Sequence, residues 1–148
     1  KVPNEWRTTG YICFMGSMTT GRMFSDNLIN YWGARKQLVL SGLVVTLGLI
    51  VATAYPHLIV SSIGFMLVGF GVSSVIPTIY GTVGRTTEPS KVSIALASVS
   101  SIGFFGFLIG PPIIGFLSQA IGLRWAFLTV SSLGIITALR ANQLKKYL

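Results

Sequence analysis

The sequence predicts an all-α membrane protein with about five transmembrane helices. Hydrophobic residues make up 51% of its 148 residues and charged residues only 9%, whereas an ordinary soluble domain carries roughly 25% charged residues. The mean hydropathy is +0.73, and the apolar residues come in long runs. One helical membrane crossing uses about 20 such residues. The runs therefore predict spans at residues 8–27, 37–54, 57–81, 91–119 and 123–142.

The first span is the least apolar of the five, because its threonines and Arg22 are poorly suited to contact with lipid. Ser17 and Gly21 stand four residues apart, so two small residues share one face of the helix. Such a pair lets another helix approach closely. We expect this span to face protein or water.

A short polar segment joins the first two spans. Arg22 and Asp26 are four residues apart and would face the same side of a helix. Gly33 is expected to break that helix before the basic pair Arg35 and Lys36. The chain should therefore end one helix, turn, and start another here.

The second span, after Lys36, is apolar all round, which predicts a peripheral helix that faces lipid. The third span is interrupted by glycines and a proline. At roughly 100° per residue, several of its polar and small residues fall on one face. The candidate cavity-lining residues of this span are Ser62, Gly69, Ser73, Pro77 and Tyr80.

The fourth span contains small residues and prolines suited to close packing and to a hinge. Gly106 and Gly110 form a GxxxG pair, which favours close helix packing in a bilayer. Two adjacent prolines would break a soluble helix, but in a membrane neighbouring groups can satisfy the freed carbonyls. The candidate packing and hinge residues are Gly103, Gly106, Gly110, Pro111, Pro112 and Gly115.

The charges of the loops predict an orientation. If loops alternate between sides, one side carries seven cations, namely Arg35, Lys36, Arg85, Lys91, Arg140, Lys145 and Lys146. The other side carries three, namely Lys1, Arg7 and Arg124. Positive residues are enriched in cytoplasmic loops. The Gly33 loop and the C-terminal tail are therefore expected in the cytoplasm, in a multi-pass protein of the cell (inner) membrane.

The segment after the first span resembles the loop signature of the major facilitator superfamily of transporters. That pattern has a glycine, an acid about one turn later, a basic residue, a second glycine and a basic pair. Gly21, Asp26, Gly33, Arg35 and Lys36 match it, although Gly21 to Asp26 is one residue longer than the commonest form and Asp26 to Gly33 about one turn longer. The glycine-proline run of the fourth span is similar to a motif of the same superfamily, with Gly115 one residue too far from Pro111.

The resemblance implies that residues 1–148 are a fragment covering about the eighth to twelfth helices of a twelve-helix transporter. It implies alternating-access transport of a small solute, with the chain inactive without the N-terminal half. It also implies that Asp26, paired with Arg22 or Arg35 and with the N-terminal end of the helix near Lys91, holds the cytoplasmic side closed.

Other functional classes remain open from the residues alone. A helical membrane scaffold or anchoring subunit is the main alternative, and an integral-membrane enzyme is a distant third. The three acids, Glu5, Asp26 and Glu88, are scattered over loops, so the sequence predicts no catalytic residue, metal site or cofactor. The net charge of +8 is spread in ones and twos between apolar runs, which favours a lipid bilayer as partner over nucleic acid.

Overall fold

The computed structural model describes residues 8–55 and 57–143, without the side chains of Asp26 and Asn30. The described residues form five helices and no strands, which confirms the predicted all-α class. The helices are α1 (Thr9–Ala54), α2 (Leu58–Ser73), α3 (Val75–Thr86), α4 (Val92–Ile121) and α5 (Leu123–Gln143).

Helix α1 consists of two arms joined at Gly33. Its 46 residues would extend about 69 Å if straight, more than twice the roughly 30 Å hydrocarbon core of a bilayer. Gly33 instead adopts φ 78° and ψ 155°, a positive φ that favours glycine. The predicted break at Gly33 is confirmed. Below, residues 9–32 are the first arm and residues 34–54 the second arm.

Three helical segments are long and apolar enough to cross a membrane, judged by length and composition in the described part of the chain. They are Tyr31–Ala54, Leu58–Thr86 and Val92–Ile121. The second of these joins α2 and α3 end to end. The first arm and α5 carry more polar residues, so the five-span division of the chain stays a prediction.

The two arms of α1 both pack on α2, in opposite directions. In the first arm Gly10 lies against Phe65 and Gly21 against Ser73, so this arm runs parallel to α2. Gly48 of the second arm lies against Gly64 of α2. Gly71, later in α2, lies against the backbone of Ser41, earlier in the arm, so the second arm runs antiparallel to α2. The pairing of Ser17 and Gly21 with α2 confirms the close approach predicted for the first span.

The second arm also packs on α5, which makes it the centre of the bundle. A Cβ on Gly42 would lie 2.7 Å from the carbonyl oxygen of Gly134. Thr46 Oγ1 donates to the carbonyl of Ser131 at 3.2 Å. At the end of both helices Arg35 donates to Asn142 Oδ1. The Gly33 turn and the C-terminal end of α5 therefore lie at the same end of the bundle.

The prediction that the second span is a peripheral, lipid-facing helix is wrong, because within the described residues it packs on both α2 and α5. Only one stripe of the second arm is exposed, formed by Leu40, Leu43, Leu47 and Ile50. The other faces are packed because glycines 42 and 48 stand on different sides of the helix and admit α5 and α2. Uniform hydropathy did not distinguish a side chain facing lipid from one facing another helix.

Helix α4 lies at the edge of the described bundle and has no buried residue. Among the described helices, its main contacts are with α5 and α3. Its large side chains, such as Phe104 and Phe107, are therefore exposed within this chain.

We predict that Gly48→Ala destabilises the protein by about 1–3 kcal/mol, the usual cost of forcing atoms into a packed interior. The added Cβ would lie 2.8 Å from both the Gly64 carbonyl oxygen and the Val68 backbone nitrogen, which cannot rotate away. Thermal unfolding of the detergent-solubilised full-length protein should show a lowered midpoint. Gly84→Ala is the matched control, since no atom lies within 4 Å of that Cβ. Equal midpoints for the two variants would contradict the glycine-packed interface.

Candidate functional site

The described bundle has a break between α2 and α3, at Ser74. Pro77 has no backbone N–H to donate to the carbonyl of Ser73, and its ring crowds that carbonyl. Ser74 has φ −94° and ψ −8°, and its N–H turns to the carbonyl of Val72. Helix α3 then restarts with Pro77 in its first turn, where proline is tolerated. The interruption predicted in the third span is thus located at one residue.

Hydrogen bonds among three buried polar side chains connect this break to the second arm of α1. Gln37 Nε2 donates to Ser74 Oγ at 2.8 Å, and Ser41 Oγ lies 3.0 Å from the same oxygen. All three side chains are buried, with relative exposures of 3–4%. We call Gln37, Ser41 and Ser74 the polar cluster. Ser74 was not singled out from the sequence, and Gln37 carried one usable signal, a polar side chain in an otherwise apolar run.

The polar cluster borders a small cavity of about 20 Å³, which Gly21 and Ser73 also line. That volume admits about one water molecule and no solute. Gln37 Oε1 and Ser25 Oγ are buried and have no hydrogen-bond partner among the described residues. The interface between the arms of α1 and the α2–α3 break is therefore polar, close-packed and incompletely hydrogen-bonded.

The candidate cavity-lining residues do not form one open surface in this chain. Ser62, Gly69 and Ser73 are buried, Gly69 against Phe14 and Ser17 of the first arm. Pro77 is half-buried in the first turn of α3. Tyr80 faces away from these residues, toward α4.

Tyr80 lines a groove of about 460 Å³ between α3 and α4, large enough for a small organic molecule. Its Oη lies 2.8 Å from Ser100 Oγ, one hydrogen bond in a mostly apolar lining. The other lining residues are Ile76, Ile79, Val99, Ile102, Gly103, Phe104 and Phe107. Ser100 was missed by sequence reasoning because its role depends on which face of α4 meets α3.

The candidate packing and hinge residues of α4 lie on its open faces. Among residues 8–55 and 57–143, no described atom of a neighbouring element stands within 4 Å of a Cβ placed on Gly103, Gly106, Gly110 or Gly115. Helix α4 runs continuously through Pro111 and Pro112. The glycines that do meet other helices within the described residues are in α1, α2 and α5 instead.

Arg35 and Lys36 lie beside the Gly33 turn, whereas Arg22 follows Gly21, which packs on Ser73 near the middle of the Leu58–Thr86 segment. Arg35 is half-buried and bonded to Asn142, while Arg22 and Lys36 are exposed. The side chain of Asp26 lies outside the described residues, so its predicted pairing stays a prediction. In the α3–α4 loop, Lys91 Nζ lies 2.9 Å from Glu88 Oε2, an exposed pair of little energetic weight.

No site for a metal ion stands out in the described parts of the chain. Within residues 8–55 and 57–143, no three His, Cys, Asp or Glu side chains lie close enough to share an ion. What the geometry offers is a bundle with a broken helix, a polar cluster at the break and an apolar groove with one hydrogen-bonding pair.

Long apolar helices, lipid-facing stripes and glycine contacts define a multi-pass integral membrane protein of the all-α class. The family model described as Major Facilitator Superfamily matches residues 6–144. The chain belongs to that superfamily, as its loop pattern indicated.

Several curated proteins are similar to this chain. An uncharacterized MFS-type transporter of Yersinia pestis is 38% identical over 133 residues, which cover 90% of this chain and 34% of that protein. Membrane protein MosC of Rhizobium meliloti is 33% identical, over 93% of this chain and 34% of that protein. A multidrug resistance protein B homolog of Mycobacterium tuberculosis is 27% identical, over 88% and 24% respectively.

The chain spans about a third of the length of the first two of these relatives. No solved structure gives a significant match. The family is one of transporters and not of enzymes, which supports the prediction that the chain carries no catalytic site.

We predict that Ser74→Ala lowers the stability of the protein by about 1–2 kcal/mol, because Gln37 Nε2 would lose its buried acceptor. Thermal unfolding of the full-length protein in detergent measures the loss. Gln37→Leu combined with Ser74→Ala should cost less than the two single changes added together, since the two side chains share one bond. Ser98→Ala is the control, because that exposed hydroxyl bonds only to the Ile94 carbonyl of its own helix. Strict additivity of the pair would show that the polar cluster is not coupled.

Proposed function

We propose that this chain is part of a secondary transporter that moves a small solute by alternating access. We place it at the eighth to twelfth helices of a twelve-helix protein, so that it needs the N-terminal half for activity. The family match supports a transporter, the coverage of about a third of the first two relatives supports a part of a longer protein, and the loop pattern around Gly33 is the basis for the position within it. A membrane scaffold without transport is the competing function, and the experiments below separate the two.

The observation that carries the proposal is the proline-linked interruption at Ser74, a single residue with αR backbone angles between α2 and α3. Secondary transporters bind and gate at interrupted helices, where backbone and polar side chains become available within the membrane. Here the break is fastened to the second arm by a polar cluster whose Gln37 Oε1 has no partner in the described chain. Such a joint can exchange hydrogen bonds as one part of a bundle moves against another.

The groove beside Tyr80 supports a solute with an apolar body and one hydrogen-bonding group. Its lining is aliphatic and aromatic apart from the bonded pair Tyr80 and Ser100. Small-molecule sites commonly combine such a lining with a few convergent polar groups. Among the relatives, those of Mycobacterium tuberculosis and Bacillus subtilis carry the name multidrug resistance protein.

The open glycine faces of α4 support a missing partner within the same transporter. Gly106 and Gly110 form a close-packing pair, yet none of the five described helices covers them. We propose that helices of the N-terminal half pack there, with Pro111 and Pro112 as a hinge.

Asp26 is proposed to hold the cytoplasmic side closed, with Arg22 or Arg35 as its partner. We predict that Asp26→Asn in the full-length protein leaves membrane insertion intact and reduces transport about tenfold. The basis is a shift of about 1–3 kcal/mol between inward-open and outward-open states on loss of a partly buried ion pair. Efflux of a panel of amphipathic dyes from membrane vesicles measures transport. A reporter cysteine at Ile79, in a Cys13→Ala background, should become more accessible from the cytoplasmic side.

Glu88→Gln is the matched control for Asp26→Asn. It removes one acid from the neighbouring loop, where Glu88 makes an exposed pair with Lys91. This variant should transport normally. If Asp26→Asn transports at the parental rate and the reporter cysteine keeps its parental accessibility, the membrane scaffold would be the better-supported function.

The Gly33 loop and the C-terminus are proposed to be cytoplasmic, in the cell (inner) membrane. We predict that cysteines replacing His57 and Gln143, each in the Cys13→Ala background, react with a membrane-impermeant thiol reagent from opposite sides. The reason is the bias of basic residues toward the Gly33 end, together with the antiparallel packing of the second arm on α5. Labelling of intact cells and of inverted vesicles distinguishes the sides. Labelling of both positions from one side would contradict the five-span topology.

A further inference from the structure

A groove of about 490 Å³ lies between the second arm of α1 and the C-terminal end of α5, at the end of the bundle that carries Gly33. Its outer part is polar and basic, formed by Trp32, Arg35, Lys36 and Asn142. Its inner part is aliphatic, formed by Val39, Leu40 and Leu43. The described lining residues therefore contribute two cations and an aliphatic surface.

The lining changes character along one face of a helix. Residues 35, 36, 39, 40 and 43 recur every three or four positions along the second arm, so they form one stripe of that helix, and Trp32 joins the lining from the other side of the Gly33 turn. The stripe begins with two cations and continues into the apolar part of a predicted span. A phospholipid has a matching order of groups along the membrane normal, with a charged phosphate at the interface and apolar acyl chains below it.

The cationic part of the groove is held in position by a contact between helices. Arg35 donates to Asn142 Oδ1, which orients the guanidinium over the groove while leaving further N–H donors. Lys36 is exposed and adds a second positive charge. Arginine is suited to bidentate contact with phosphate oxygens, and lysine to a point-charge contact.

We propose that this groove is a binding site for an anionic phospholipid, with the phosphate on Arg35 and Lys36 and an acyl chain along Val39, Leu40 and Leu43. This assignment leaves Arg22 as the partner of Asp26. The two cations of the lining favour an anionic over a zwitterionic headgroup. The aliphatic inner part favours a lipid over free phosphate. The bound lipid bridges the second arm and α5, which meet here through Arg35 and Asn142.

The site depends on the membrane setting of the helices and not on the proposed transport activity. Its test therefore measures lipid binding directly. The full-length protein, purified in a mild detergent, is titrated with phosphatidylglycerol, and bound lipid is counted by native mass spectrometry. Lys36→Gln and Arg35→Gln should each weaken the tightest phosphatidylglycerol site about fivefold, the effect of one cation near a membrane surface. Lys36→Gln leaves the bond from Arg35 to Asn142 in place, so it reports on charge without disturbing the helix contact.

Arg85→Gln is the matched control, since Arg85 is an exposed cation near the C-terminal end of α3 and does not line the groove. It should leave the tightest site unchanged, and phosphatidylcholine should bind at least fivefold more weakly than phosphatidylglycerol. Equal weakening in Arg85→Gln would overturn the proposal in favour of diffuse charge attraction. Unchanged binding in Lys36→Gln, or displacement of the lipid by excess inorganic phosphate, would overturn it as well.

Discussion

Close backbone contact at glycine holds the described bundle together. In a bilayer, apolar side chains gain little by leaving lipid for another helix, so association depends on packing and on hydrogen bonds between helices. The second arm of α1 meets this constraint on two sides, with Gly48 on Gly64 and Gly42 on Gly134. Bulkier residues at these four positions would move the backbones apart. The bond from Thr46 to the Ser131 carbonyl lies beside one of the contacts and depends on the same approach.

The polar cluster follows from that packing. Pro77 removes a helical hydrogen bond, and Ser74 sits at the resulting break. In lipid an unsatisfied backbone or hydroxyl group is costly, so a break is tolerated where protein covers it. Gln37 and Ser41 of the second arm provide the cover, because the Gly48 and Gly71 contacts hold that arm against α2. The second arm thus packs on α2 and α5 and also covers the break at which α2 meets α3.

The chain also has a clear division between a packed side and an open side. Helices α1, α2 and α5 bury one another, whereas α4 has no buried residue and presents its glycines and phenylalanines outward. The groove beside Tyr80 lies at the boundary of these two sides. Within the described residues, contacts between helices are therefore concentrated on α1, α2 and α5.

Local chemistry determined much of this protein from sequence alone. Hydropathy predicted helices in a membrane, glycine's tolerance of positive φ predicted the turn at Gly33, and the loop pattern indicated the superfamily. Tertiary structure alone decided which glycines meet another helix: Gly42, Gly48, Gly64 and Gly134 do, while Gly106 and Gly110 of the GxxxG pair meet no helix among the described residues. It also decided that Gln37 bonds to Ser74 and Tyr80 to Ser100. These outcomes depend on the rotation and register of one helix against another, and a run of apolar residues with similar hydropathy on every face does not encode either quantity locally.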